Sequence, residues 1–292
     1  MAKMEYKNLI DNVQIPVLGL GTWLMGGRME PDYSDDENCI QAIKKAIELG
    51  YTHIDTAEMY ANGHTEELIG KAIKDLDRKK LFITTKVRNT KLKYDDVIQS
   101  AKESLGRLQT EYIDLFLIHS PSSEIPIEET MKAFDYLVEQ KLVRFIGVSN
   151  FQVEQLIEAQ KYTKNKIVAN QIEYSLLTRN DGKYGGNKDM ESKTIPYCQE
   201  NDIIVMAERP IERGLLLEGH PLLDELEKKY NKTKAQIAIN WLISKKNIIT
   251  IPKSANVDRL KENIESIGWK MDEDDIKRLD KIKLDQSLRD KI

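Results

Sequence analysis

With 292 residues, 40% of them hydrophobic and 32% charged, the chain has ample apolar material for a core and the composition of a globular protein. A net charge of −4, with Arg78-Lys79-Lys80 flanked by acidic residues, excludes a phosphate-tracking basic stripe and so argues against nucleic acid as a partner. There is no apolar run of the roughly 18 residues that a membrane span needs, no apolar signal core in residues 1–7, and no disulfide framework in two distant cysteines, Cys39 and Cys198; the expectation is a cytoplasmic protein with buried free thiols.

Residues 6–15, with Asp11-Asn12 as a turn signal, predict a short β-hairpin. Eight short β-branched or apolar runs follow at 17–20, 53–55, 81–86, 114–119, 145–149, 168–172, 203–206 and 248–251. Between them lie amphipathic helix patterns, for instance 37–49, 95–108, 128–140 and 153–161. The first is expected to open with a capping box, Ser34-x-x-Glu37, and to stop at Gly50. Strand–helix alternation repeated eight times implies right-handed βαβ units and a parallel sheet, and eight strands close a barrel. The expected fold is therefore α/β, a (β/α)8 TIM barrel with a short N-terminal hairpin. With no linker composition to divide it, the chain reads as a single domain, 1–292. Residues 178–188 are rich in turn formers and follow the sixth run on the active-site face, as either a lid or a surface loop.

A charge inside a barrel is costly, whereas at the C-terminal strand ends it meets a solvated mouth. Asp55, Lys86, His119, Ser149-Asn150 and Gln171 all fall at or just past such ends. Tyr60 follows Asp55 by five residues, in Ile54-Asp55-Thr56-Ala57-Glu58-Met59-Tyr60. Taken singly, a strand-end Asp caps a helix, a lone His is structural and a lone Lys is solvated. Together they are the parts that protonate a carbonyl oxygen while a hydride attacks its carbon. No side chain donates hydride, so a cofactor must. Lys86 beside Tyr60 is expected to lower the phenol's pKa, Asp55 to keep Lys86 charged, and His119 to bond the substrate oxygen or relay the proton. Gly19-x-Gly21 opens no GxGxxG, so a Rossmann fingerprint is not indicated; the glycines allow close backbone approach and leave Trp23 at the substrate mouth. The four histidines (His53, His64, His119, His220) have no metal-ligand spacing with the cysteines, and no metal is expected.

Several motifs together resemble the aldo-keto reductases: Gly19-Leu20-Gly21-Thr22-Trp23, Asp55-Thr56-Ala57-x-x-Tyr60, Thr85-Lys86, Leu117-Ile118-His119, Gly147-Val148-Ser149-Asn150-Phe151, Asn170-Gln171-Ile172-Glu173-Tyr174 and Ile251-Pro252-Lys253-Ser254. The likeness runs from Gly19 to at least Asn263. It implies a β/α barrel holding a nicotinamide dinucleotide across its mouth, with Tyr60 as general acid supported by Asp55, Lys86 and His119. It further implies that Ser149, Asn150 and Gln171 bind the carboxamide, that Gly21, Thr22, Trp23 and Asp55 also adjoin the cofactor, and that Glu262 and Asn263 meet the adenine. Phosphate sites in barrels lie after the last two strands, and here Lys253, Ser254 and Arg259 supply two cations and a hydroxyl. That suits the 2′-phosphate of NADP, so NADPH is expected in preference to NADH.

Two departures from the family pattern stand out. Where relatives show Ala-Tyr-Ser-Pro, with a Tyr that stacks on the nicotinamide, this chain reads Ala207-Glu208-Arg209-Pro210. Glu208 cannot stack, which predicts cofactor binding weaker by about 1 kcal/mol, though its carboxylate suits the positive ring of NADP+. Arg209 either packs on the cofactor or pyrophosphate or pairs with Glu208 or Glu212. The following Arg213-Gly214-Leu215-Leu216-Leu217 still resembles the loop whose amides meet the pyrophosphate, placing Gly214, Leu215 and Leu217 beside Pro210 among the cofactor residues. Second, Ser120-Pro121 stands where many members have Trp-Pro, and the segment 284–292 is short and charged. With Trp23, Met25 and Met59 as apolar lining and Tyr60 and His119 at the reacting oxygen, the pocket favours small aldehydes, dicarbonyls or sugar-derived carbonyls. A monomer or weak oligomer reducing such carbonyls is the leading reading. A catalytically weak NADP(H)-binding sensor barrel is the alternative, and a phosphate-binding lyase or isomerase barrel without nucleotide is a third.

Overall fold

The computed structural model describes residues 3–182, 187–218 and 220–282; what the sequence predicts for 284–292 and for the middle of 178–188 lies outside them. Two strands, β1 (Tyr6–Ile10) and β2 (Val13–Pro16), form the expected antiparallel hairpin, with Asp11 in the left-handed region at the turn. Its inner residues Leu9 and Ile15 are buried against Phe82, Leu115, Ile204 and Ile249, which begin or floor the barrel strands. The hairpin is thus a plug under the barrel.

Eight parallel strands follow: β3 (Leu20–Gly21), β4 (His53–Asp55), β5 (Phe82–Val87), β6 (Ile113–Ile118), β7 (Val143–Ser149), β8 (Ile167–Glu173), β9 (Ile204–Glu208) and β10 (Ile248–Thr250). Each pairs with its sequence neighbours. The ring closes where Gly19 N–H donates to Thr250 O (2.9 Å), Thr250 N–H to Val17 O (3.0 Å) and Gly21 N–H to Pro252 O (3.2 Å). At this seam a Cβ on Gly21 would lie 2.5 Å from Ile251 O, so only glycine allows the approach.

Side chains alternate across each strand. Ile54, Ile83, Phe116, Ile118, Ile146, Val148 and Val205 face outward into the main core beneath the helices. Phe82, Leu115, Leu117, Met206 and Ile249 face inward above the plug. One step nearer the mouth the same inward rows change to polar residues, so the strand pattern itself delivers the site.

The helices are α1 (Asp36–Glu48), α2 (His64–Ile73), α3 (Tyr94–Leu108), α4 (Ile127–Glu139), α5 (Val153–Lys161), α6 (Ile195–Glu200), α7 (Pro221–Tyr230), α8 (Lys234–Ser244), α9 (Val257–Ile264) and α10 (Glu273–Asp280). In α1 the residues Cys39, Ala42, Ile43 and Ala46 recur at helical spacing and are buried. Its start corrects one expectation: the Ser34–Glu37 capping box does not form. Ser34 lies inside a single 3-10 turn, Tyr33–Asp35, and bonds back to Asp32 through both its N–H (3.0 Å) and its hydroxyl (2.6 Å). Asp35 becomes the N-cap without a side-chain bond, and Asp36 and Glu37 complement the dipole instead. The stop is as expected, with Gly50 at φ +106°. Cys39 and Cys198 are buried free thiols. Among the described residues no helix is long and apolar enough to cross a membrane.

Candidate active site

At the C-terminal ends of β4 and β5, Asp55 and Lys86 face inward and are nearly or wholly buried. Lys86 Nζ donates to Asp55 Oδ2 (2.8 Å), to the Thr56 carbonyl (2.7 Å) and to Tyr60 Oη (3.4 Å). The other Asp55 oxygen accepts from Gln171 Nε2 at 2.8 Å. Burial works against the Lys86 cation, but Asp55 and Tyr60 outweigh it and raise its pKa, so the ammonium stays charged. Tyr60 sits on a turn after β4 whose next two residues, Ala61 and Asn62, are left-handed, a sharp bend that aims the phenol back into the mouth. It forms an edge contact with Trp23 (ring centroids 4.8 Å apart) and faces His119 at 5.8 Å.

The electrostatics revise two expectations. Burial pushes the Tyr60 phenol up to about 12, and Lys86 only partly offsets it, so the group is a protonated donor at neutral pH rather than a near-phenolate. Burial, with Lys86 and Arg88 nearby, pushes His119 down to about 3. A neutral imidazole orients an oxygen but does not relay a proton as an imidazolium.

These residues open into one cavity of about 1050 Å³, at the top of the range for ligand pockets of roughly 300–1,000 Å³. Its walls run from Tyr60, His119 and Ser120-Pro121, past Gly21, Thr22 and Trp23, along Glu208, Arg209 and Pro210, to Lys253, Ser254, Arg259, Glu262 and Asn263. Asp55, Met59, Asn150, Gly214 and Leu217 also line it, as expected. Below it Ser149 and Gln171 are buried. Gln171 Oε1 has no hydrogen-bond partner among the described residues although it is buried, while Gln171 Nε2 is committed to Asp55. Ser149 Oγ accepts from Asn150 Nδ2 (3.1 Å), which leaves its own proton to donate. A buried free acceptor beside a free donor fits a primary carboxamide.

Some predicted residues fall elsewhere. Met25 is fully buried in the main core; the chain turns at Leu24, with φ +71°, which leaves Leu24 at the mouth in its place. Leu215 packs against the core and does not line the cavity. Arg209 pairs with Glu173 at 3.7 Å, the cross-strand neighbour of Glu208, and its charge also acts on Glu208 and Glu212. Gly214 N–H closes a turn onto Ile211 O (2.8 Å), so this amide is spent within the loop. Asn256 Oδ1 likewise caps α9 through the Asp258 and Arg259 amides (3.0 Å each), so an anion there would meet side chains rather than bare helix amides. Lys253 and Arg259 are both exposed at this end, and Ser254 Oγ is held in a local turn with Asn256.

Sequence reasoning missed two contributors. Asn187 reaches from the loop after β8 to donate to Asn150 Oδ1 (3.1 Å), and Glu58 is buried while accepting from Arg88 N–H (2.8 Å). Neither belongs to a periodic pattern; the turn-former run around Asn187 was the available signal.

Comparison with known proteins matches residues 17–284 to the family model described as the Aldo/keto reductase family. The methylglyoxal reductase YeaE of Escherichia coli (strain K12) is 33% identical over 92% of this chain and 92% of its own length. A thermostable aldo-keto reductase, Tm1743, crystallised with the inhibitor epalrestat, superimposes with a TM-score of 0.89 at 44% identity, over 98% of this chain and 100% of that one. An aldo/keto reductase from Klebsiella pneumoniae in complex with NADP and acetate gives a TM-score of 0.82 at 29% identity over 91% of each chain.

Proposed function

Since the chain belongs to the aldo/keto reductase family, we propose that it reduces small aldehydes and dicarbonyls to alcohols, with NADPH preferred over NADH and Tyr60 as proton donor. It is an NAD(P)H-dependent oxidoreductase acting on carbonyls; the substrate class, cofactor preference and residue roles are our reading. One observation carries the proton-donor assignment: a buried lysine ammonium joins Asp55 to the Tyr60 phenol at the wall of the shared cavity.

The nicotinamide, when bound, supplies a hydride to the carbonyl carbon. Gln171 Oε1 and the Ser149 hydroxyl hold its carboxamide, and Lys253 and Arg259 take the 2′-phosphate as two exposed cations. Tyr60 Oη passes its proton to the carbonyl oxygen, so one hydride and one proton complete the alcohol. The phenolate left behind meets the Lys86 ammonium, which Asp55 keeps charged and Gln171 keeps in place. Neutral His119, beside Tyr60, orients the carbonyl oxygen. Trp23 and Leu24 supply an apolar edge, while Ser120 and Asn89 keep the mouth polar; this mixture suits small, oxygen-rich carbonyls, and the relative YeaE is named for methylglyoxal.

The test is to follow NADPH oxidation with a panel of aldehydes and dicarbonyls. Tyr60→Phe is expected to lower kcat by about 10²–10⁴ while nucleotide binding persists. Turnover surviving that change overturns the assignment, and binding without any wild-type turnover favours the sensor reading.

A further inference from the structure

Glu208 ends β9 on the inward face, two residues beyond Met206 and directly across from Glu173. The carboxylates around it are each engaged: Glu173 pairs with Arg209 (3.7 Å), Glu212 accepts from the Ser175 hydroxyl (2.7 Å), and Asp55 holds Lys86 (2.8 Å). The Glu208 carboxylate forms no hydrogen bond or ion pair with any described residue. It is half-buried on the wall of the same cavity as Tyr60, where burial pushes its carboxyl above the usual range and the Arg209 and Lys86 cations pull it back down. A half-buried carboxylate that makes no hydrogen bond, its charge answered only through space by Arg209 and Lys86, gains from a further positive charge bound beside it.

The two redox forms of a nicotinamide differ there by one positive charge on the ring. Resting on the nucleotide reading, we propose that Glu208 is a counter-charge for the nicotinamide ring, so that the protein binds NADP+ more tightly than NADPH. Opposite charges attract strongly at the effective dielectric of about 20 that suits such sites, and screening through the open mouth brings the expected preference from this one group to about tenfold.

Quenching of tryptophan fluorescence, with Trp23 on the cavity wall, reads both dissociation constants directly. In Glu208→Gln, which keeps the shape and removes the charge, Kd for NADP+ is expected to rise about tenfold while Kd for NADPH changes less than about twofold. Glu208→Asp, which keeps the charge, is expected to retain most of the wild-type preference. If both constants rise together, or neither moves, Glu208 is a packing residue and the assignment falls. A wild-type protein that binds neither form overturns the nucleotide reading and this assignment with it.

Discussion

Asp55→Asn isolates the charge that organises the site. The substitution keeps the shape of the side chain and its place beside Gln171, but leaves the Lys86 ammonium buried with only the Thr56 carbonyl at 2.7 Å and Tyr60 Oη at 3.4 Å. Removing one partner of a buried ion pair costs about 3–5 kcal/mol, because the remaining charge is uncompensated. Lys86 then sheds its proton in the folded state, whereas the unfolded chain keeps it below about pH 10.4. Stability rises with pH wherever the unfolded state binds more protons, by up to about 1.4 kcal/mol per pH unit for one group. In the wild type the sign is opposite: a raised Lys86 pKa gives stability that is complete below the unfolded value and lost only as pH climbs through the higher folded one. The variant should therefore be about 3–5 kcal/mol less stable than wild type at pH 7 in urea titrations, with the gap narrowing steadily toward pH 10. Activity should fall as well, since a neutral amine no longer stabilises the phenolate. A gap that stays constant across this range, or a loss below about 1 kcal/mol, would refute the argument.

Three other outcomes follow from the same geometry. Lys253→Ala with Arg259→Ala should raise KM for NADPH by about a hundredfold or more, taking about 1.5–3 kcal/mol for each charge-assisted contact, and leave KM for NADH nearly unchanged; a parallel rise in both would show that these cations do not read the 2′-phosphate. Because His119 is held near 3, the wild-type kcat/KM profile should show no limb at the ordinary histidine value of about 6.5, and a limb there that vanishes in His119→Gln would contradict the neutral assignment. Gly21→Ala places a methyl 2.5 Å from Ile251 O and should destabilise the fold by about 1–3 kcal/mol, the usual cost of overpacking, seen as a lower Tm.

Most of the architecture was legible because barrel strands change from apolar to polar at one end, and Asp55, Lys86, Ser149 and Gln171 mark that change in the sequence itself. What escaped was set by through-space neighbours or by single dihedral angles. The displacement of Met25 by Leu24 turns on one left-handed residue. The Arg209–Glu173 pair depends on β8–β9 register, which no motif spells out. The high Tyr60 pKa needed the depth of burial as well as the presence of Lys86; proximity alone pointed the other way. Asn187 belongs to a loop, where side-chain placement follows from packing rather than period.

The seam between β3 and β10 has a bearing on how the molecule comes apart. β3 contributes only two residues to the sheet, and backbone bonds from the Gly19, Gly21 and Thr250 amides join the first turn of the barrel to the last. The wall that holds Gly21, Thr22 and Trp23 on one side and Lys253 and Ser254 on the other straddles that joint. A dinucleotide lying along it would act as a clasp on the ring, and by mass action would slow amide exchange at Gly19, Gly21 and Thr250 ahead of the interior strands. Cellular cofactor supply would then set the lifetime of the closed barrel as well as its rate of work.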